Sequence, residues 1–273
     1  MTRLAAPAVM VGSGVSLYLG AAIAVGLFDV FSPVVVAWFR IAGAAVILLA
    51  LHRPKVSLFV GEAGVRAATY GIITLAMNMT FYEAIARLPM GTAVAIEFLG
   101  PVAVAAVGSR SVRDVVSLIL AVLGVVIISG AVWSDSALGL LLALAAGALW
   151  AAYIVVGSRI AGEASWTSMT VGFTWAAVLA SPVALLLWPA STGMAPAPLL
   201  GLVLGLGLLS AAIPYSLDQV VLRMAGSAYF AVLQAILPIV AAVIGALTLG
   251  QFLSLAEILG ITLVVAAVAL RNP

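Results

Sequence analysis

The sequence predicts an all-α membrane protein: ten transmembrane helices, arranged as two inverted five-helix repeats around a central cavity, with both termini cytoplasmic. Three observations lead there. Of 273 residues, 66% are hydrophobic and only 7% are charged, whereas a soluble domain carries about 25% charged residues. Apolar runs of bilayer length recur along the chain, parted by short connections rich in helix breakers. A polar motif around residue 97 returns around residue 234.

With so few charges the chain cannot cover a globule with polar groups, so lipid must solvate most of its outer surface. The mean hydropathy of +1.34 says the same. A formal charge of +2 does not point to nucleic acid, because the 11 Lys and Arg residues are too scattered for a phosphate-binding stripe. Cysteine is absent, which excludes disulfides, thiolate metal sites and a cysteine nucleophile. His52 is the single histidine. No cofactor and no metal site are implied.

A span needs about 20 mostly apolar residues. Ten stretches meet that length approximately: 8–27, 34–51, 66–86, 91–108, 115–132, 138–156, 168–188, 199–221, 227–249 and 255–270. The first follows Arg3 and runs a full bilayer depth, so it reads as a retained helix and not a signal peptide. Breakers mark the connections: Asp29 to Pro33, Pro54, Pro89, Ser134 to Ser136, and Pro189 to Pro198. With the N-terminus cytoplasmic, the cytoplasmic segments hold Arg3, Arg53, Lys55, Arg66, Arg110, Arg113, Arg159, Arg223 and Arg271, against Arg87 outside. That is the positive-inside pattern. Trp133, Trp166 and Trp188 lie near span ends and read as interface anchors.

Two passages match in order. Phe81 to Arg87 leads to Glu97-Phe98-Leu99-Gly100-Pro101 and Gly108; Leu217 to Arg223 leads to Gln234-Ala235-Ile236-Leu237-Pro238 and Gly245. Glu97 and Gln234 are 137 residues apart, as are both prolines and both glycines, while the arginines differ by 136. The offset spans five crossings, and an odd number makes the second copy enter from the opposite face. Residues 1–136 and 137–273 are thus expected to be inverted copies within one bundle. Carriers are commonly built this way, with the substrate site at mid-membrane between the copies.

An ionisable group inside a span costs about 2.5–3.5 kcal/mol on insertion scales and usually faces a protein interior or a wet cavity. Glu97 lies six residues inside its span, and Pro101 shares its helix face at i+4. Proline frees the carbonyl one turn back, which can then line a cavity. Glu97 is the candidate for proton coupling or for a zwitterion site. Arg40, at similar depth in the second span, is a candidate anchor for a substrate carboxylate, or a structural partner for Glu97. Glu83 lies near the same height but pairs well with Arg87 at i,i+4 as an ordinary surface pair. Gln234 keeps polarity but cannot titrate. For Asp218, structural, gating and substrate-contact roles all stay open, and Glu257 reads as a solvated charge at a helix start. Ser16, Tyr18, Asn78, Tyr82, Trp150, Tyr153 and Tyr215 complete the candidate cavity. Gly12, Ser16 and Gly20, and likewise Gly139, Ala143, Gly147 and Ala151, recur every fourth residue as ridges for close packing.

The run Ala84 to Ala93, then Glu97 to Pro101 and Gly108-Ser109-Arg110, resembles the EamA-type carriers of the drug/metabolite transporter superfamily, and within them the threonine/homoserine exporter branch. Val36 to Arg40, Ala145 to Tyr153 and Pro214 to Leu217 resemble that branch's second, sixth and eighth helices. The resemblance covers essentially the whole chain; its Glu97 to Pro101 motif is the most specific part. It implies a ten-helix inverted-repeat fold with a central cavity, and export of amino acids or related metabolites across a bacterial inner membrane. The family often has Glu in the second-half motif. Gln234 departs from that, so a symmetric two-carboxylate mechanism does not carry over.

The resulting expectation is a secondary exporter, not an enzyme. It would move a small amino acid or similar metabolite by alternating access, with protons as the candidate coupling ion. Two rivals are an exporter of aromatic amino acids, nucleosides or drugs, favoured if Trp150, Tyr153 and Tyr215 face the cavity, and a polytopic enzyme acting on lipid groups. The second finds no His/Asp pair, metal-ligand cluster or nucleotide loop in the sequence.

Overall fold

Proline sets several helix starts and bends here, because it has no N–H to give the preceding turn. A computed structural model of the chain describes residues 5–108, 111–160, 165–218, 220–221, 233–234 and 236–270. Among these residues there are helices and no strands. Helix α1 (Ala6–Val25) carries Pro7 in its first turn. Helix α2 (Pro33–His52) starts on a proline, and its N-cap Ser32 accepts a bond from the Val35 amide. Helix α3 covers Gly61–Ile85, α4 Met90–Glu97 and α5 Leu99–Gly108. Helix α6 (Val112–Ile160) is broken at Ser136 (φ −157°, ψ 77°), whose hydroxyl accepts the Gly139 amide at 3.0 Å. Helix α7 is Ser165–Leu186, with Pro182 inside it. Helix α8 (Pro196–Gly207) passes through a π-turn at Leu208–Ala212 and continues helically to Asp218. Helices α9 (Leu237–Leu249) and α10 (Leu255–Leu270) complete the chain.

Among the described residues, five helices are long and apolar enough to cross a membrane: Ala6–Val25, Pro33–His52, Ser136–Gly157, Trp166–Leu186 and Pro196–Asp218. Four shorter apolar helices are Met90–Val104, Val115–Ile128, Leu237–Leu249 and Leu255–Leu270. Arg3, Arg110, Arg223, Arg271 and the first part of the expected ninth span, from Ser227, lie outside the described residues, as do the side chains of Arg159 and Trp133.

Backbone-to-backbone crossings at glycine hold the helices together, the packing expected where lipid removes the hydrophobic drive between helices. A Cβ on Gly43 of α2 would come 3.2 Å from Gly207 of α8 and collide with the Val203 carbonyl. One on Gly71 of α3 would collide with the Gly172 carbonyl of α7. One on Gly100 of α5 would strike the Gly147 carbonyl of α6, and one on Gly124 of α6 would lie 2.7 Å from the Gly260 carbonyl of α10. The two glycine-bearing ridges foreseen in the sequence seat on different neighbours: Gly20 of α1 meets Ser210 of α8, and Gly147 of α6 meets the Glu97 backbone.

One expectation is corrected. Glu257 is buried, at 7% exposure, and not solvated. One carboxylate oxygen accepts the Thr92 hydroxyl at 2.6 Å. The other accepts the Ser254 amide and hydroxyl at 2.9 and 2.8 Å. A helix-start carboxylate caps its own helix, and here it also ties α10 to α4. Nearby, the Gln251 amide oxygen accepts the Met90 N–H at 2.9 Å.

Candidate functional site

The site is built around a break in a helix. Pro101 cannot give an amide proton to the Glu97 carbonyl, so the helix interrupts at Phe98 between α4 and α5. Gly147 lets α6 seat against that turn: a Cβ there would lie 2.8 Å from the Glu97 carbonyl oxygen. Trp150, one turn on, packs edge-to-face on Phe98 with ring centroids 4.8 Å apart. Pro101 itself is half-buried at the bend. The second motif also carries a turn near its proline, at Ile236 before Pro238 in α9.

The bend puts Glu97 in the interior, at 7% exposure, with Arg40 of α2 (4%) acting on it electrostatically. Among the described residues the ion pairs within 4 Å are Arg66–Glu62 and Arg87–Glu83, both i,i+4 pairs, and neither includes Glu97 or Arg40. Glu83 therefore follows the surface-pair reading. The Arg40 guanidinium lies over the Tyr82 ring, 5.9 Å from its centroid, a cation–π arrangement. Tyr82 is fully buried, and among the described residues its hydroxyl finds no hydrogen-bond partner; nor does the Arg40 Nε. Buried polar groups are nearly always satisfied, so two adjacent unsatisfied donors mark a place made for water or a ligand.

Tyr18 of α1 belongs to the same cluster, since the charges of Glu97, Arg40 and Asp218 all reach its hydroxyl. The same three charges reach Tyr215 of α8, which also lies within hydrogen-bonding reach of the Asn78 side chain. Asn78 gives its amide proton to the Thr74 carbonyl at 2.6 Å. Tyr153 of α6 bonds hydroxyl to hydroxyl with Tyr70 of α3 at 3.0 Å. Ser16 points at α8 instead, donating to the Leu209 carbonyl at 2.7 Å beside the π-turn. Gln234 is half-buried at the second bend, with no contact tying its amide to the cluster among the described residues. Tyr70, Ser13 and Ser210 were missed in the sequence. Tyr70 could have been found, because Tyr70, Thr74, Asn78 and Tyr82 stand at i+4 steps on one face of α3.

A model of the EamA-like transporter family matches residues 137–272. The threonine/homoserine exporter RhtA of Salmonella typhimurium (strain LT2) is 35% identical over 255 residues, covering 92% of this chain and 86% of the relative. The chain belongs to the EamA-like transporter family. RhtA of Escherichia coli (strain K12) is 34% identical over the same shares. A solved chain described as "Crystal structure of protein" superposes with a TM-score of 0.65 at 18% identity, over 99% of this chain and 98% of that one, a likeness of fold. As an EamA-like transporter, this is a multi-pass membrane protein, and the buried polar cluster is its candidate transport site.

Proposed function

We propose that the protein is a secondary exporter in a bacterial inner membrane, carrying a small amino acid of the threonine/homoserine kind by alternating access. The observation that carries this reading is the cluster of Glu97, Arg40 and Tyr82, buried and with donors left open. A guanidinium beside a phenol suits a substrate carboxylate, and a carboxylate one helix away suits an ammonium group or a proton. The names of the 34–35% identical relatives favour threonine and homoserine as substrates.

Alternating access between two inverted halves is supported by the glycine crossings. Gly71 and Gly207 are 136 residues apart, and Gly43 and Gly172 are their respective partners in reverse order. The α3–α7 crossing is thereby the counterpart of the α8–α2 crossing. Gly124 and Gly260, also 136 apart, meet each other, as a position near a two-fold axis would. The family match beginning at residue 137 fits the same division, beside the helix break at Ser136.

Counterflow of labelled threonine, homoserine and the aromatic amino acids in proteoliposomes tests the reading. Exchange of the two small amino acids is expected, and Glu97→Gln should cut it at least a hundredfold with expression intact. Exchange of aromatic solutes alone would overturn the substrate assignment. Unchanged flux in Glu97→Gln would remove Glu97 from the transport step.

A further inference from the structure

Asp218 ends the continuous described stretch of α8, and its surroundings differ from those of Glu97. Ser13 of α1, buried, donates its hydroxyl to Asp218 Oδ1 at 2.7 Å and lies 3.3 Å from the Pro214 carbonyl. One hydroxyl proton thus stands between two acceptors. A carboxylate has about four lone-pair sites, and Ser13 supplies one bond among the described residues. Acceptors outnumber donors in this corner.

The charge count agrees. Among the described residues, the groups whose charges meet at Tyr18 are one cation, Arg40, and two carboxylates, Glu97 and Asp218. The carboxylates outnumber the cation there. Asp218 also acts on Tyr153 and Tyr215, which makes it part of the same polar cluster. The internal repeat gives it a distinct position. At the offset of 136 set by Arg87 and Arg223, Asp218 falls on Tyr82, while at the offset of 137 Gln234 falls on Glu97. The second half carries its carboxylate on the helix where the first half has its phenol.

The geometry points to Asp218, with Ser13 and the Pro214 carbonyl, as the subsite that takes the ammonium group of an amino-acid substrate. This rests on the proposed function and adds to it which side chain reads the amine. A carboxylate and a carbonyl flanking one hydroxyl suit an ammonium group, which brings three N–H donors and no acceptor. Arg40 and Tyr82 are then left to the carboxylate end, so a molecule lacking either charged group fills only one pole.

Counterflow inhibition in proteoliposomes decides this, with homoserine and with the hydroxy acid that carries a hydroxyl in place of its ammonium. The wild type is expected to prefer homoserine at least tenfold. D218N keeps the size of the side chain and the bond from Ser13. It should weaken homoserine by about tenfold or more, the size of a lost charged hydrogen bond, and leave the hydroxy acid unchanged. Ser13→Ala should shift the same ratio in the same direction by a few fold, which keeps the test open if D218N fails to fold. Equal weakening of both compounds, or unaltered preference, overturns the subsite while leaving the exporter reading intact. A wild type that exchanges no amino acid overturns both.

Discussion

The two bends of the molecule share a proline and differ in what packs on them. At the first, Gly147 of α6 lies on the Glu97 carbonyl and Gly100 lies on the Gly147 carbonyl, so backbone meets backbone. At the second, α1 offers Gly14, and a Cβ there would sit 2.9 Å from the Leu237 Cδ2, the end of a side chain that can turn aside. The bend that carries the carboxylate is clamped by atoms that cannot move, and the bend beside the amide is cushioned. A charged group that must meet Arg40 in one geometry needs the stiffer support.

Substitutions can break that contrast at different strengths. The largest effect is expected from Gly147→Val, which forces α6 off the Glu97 turn; overpacking costs about 1–3 kcal/mol, and thermal unfolding in detergent together with flux should both fall. Gly14→Ala should cost less than half as much in the same assay, because Leu237 can yield; equal losses would remove the contrast. Moving the carboxylate, in the Glu97→Gln/Gln234→Glu double variant, should fold as well as Glu97→Gln alone and restore no exchange, since no described contact ties residue 234 to Arg40. Recovered flux would make the two bends interchangeable. Tyr70→Phe removes the bond to Tyr153 but keeps the ring against Phe173, so a loss of about 0.5–1.5 kcal/mol in stability is expected. Smallest is Arg87→Ala. Its pair with Glu83 is a partly exposed i,i+4 contact, worth about 0.2–0.5 kcal/mol, and flux should not change.

Some of the site could be read residue by residue before any coordinates. Glu97 and Pro101 pointed to an interior carboxylate beside a freed helix carbonyl, because the missing proline N–H acts on its own helix whatever surrounds it. The polar face of α3 was legible in principle from its i+4 spacing, although Tyr70 and Thr74 went unread. Glu257 was misread: a carboxylate at a helix start looks the same in sequence whether water or Thr92 faces it. The role of Asp218 is not legible in sequence for a similar reason, since its partner Ser13 lies 205 residues away.

By itself the sequence determined that the chain is a bundle of apolar helices, where prolines interrupt them, and which few polar groups lie at depth. These follow from composition, periodicity and local backbone chemistry, which act over one or two turns. Tertiary structure alone decided which polar groups meet, that Arg40 covers Tyr82 without an ion pair to Glu97, that Ser13 holds Asp218, and that α4 is tied to α10 through Glu257. Those contacts join helices far apart in the chain, and their geometry depends on how closely glycine lets two backbones approach.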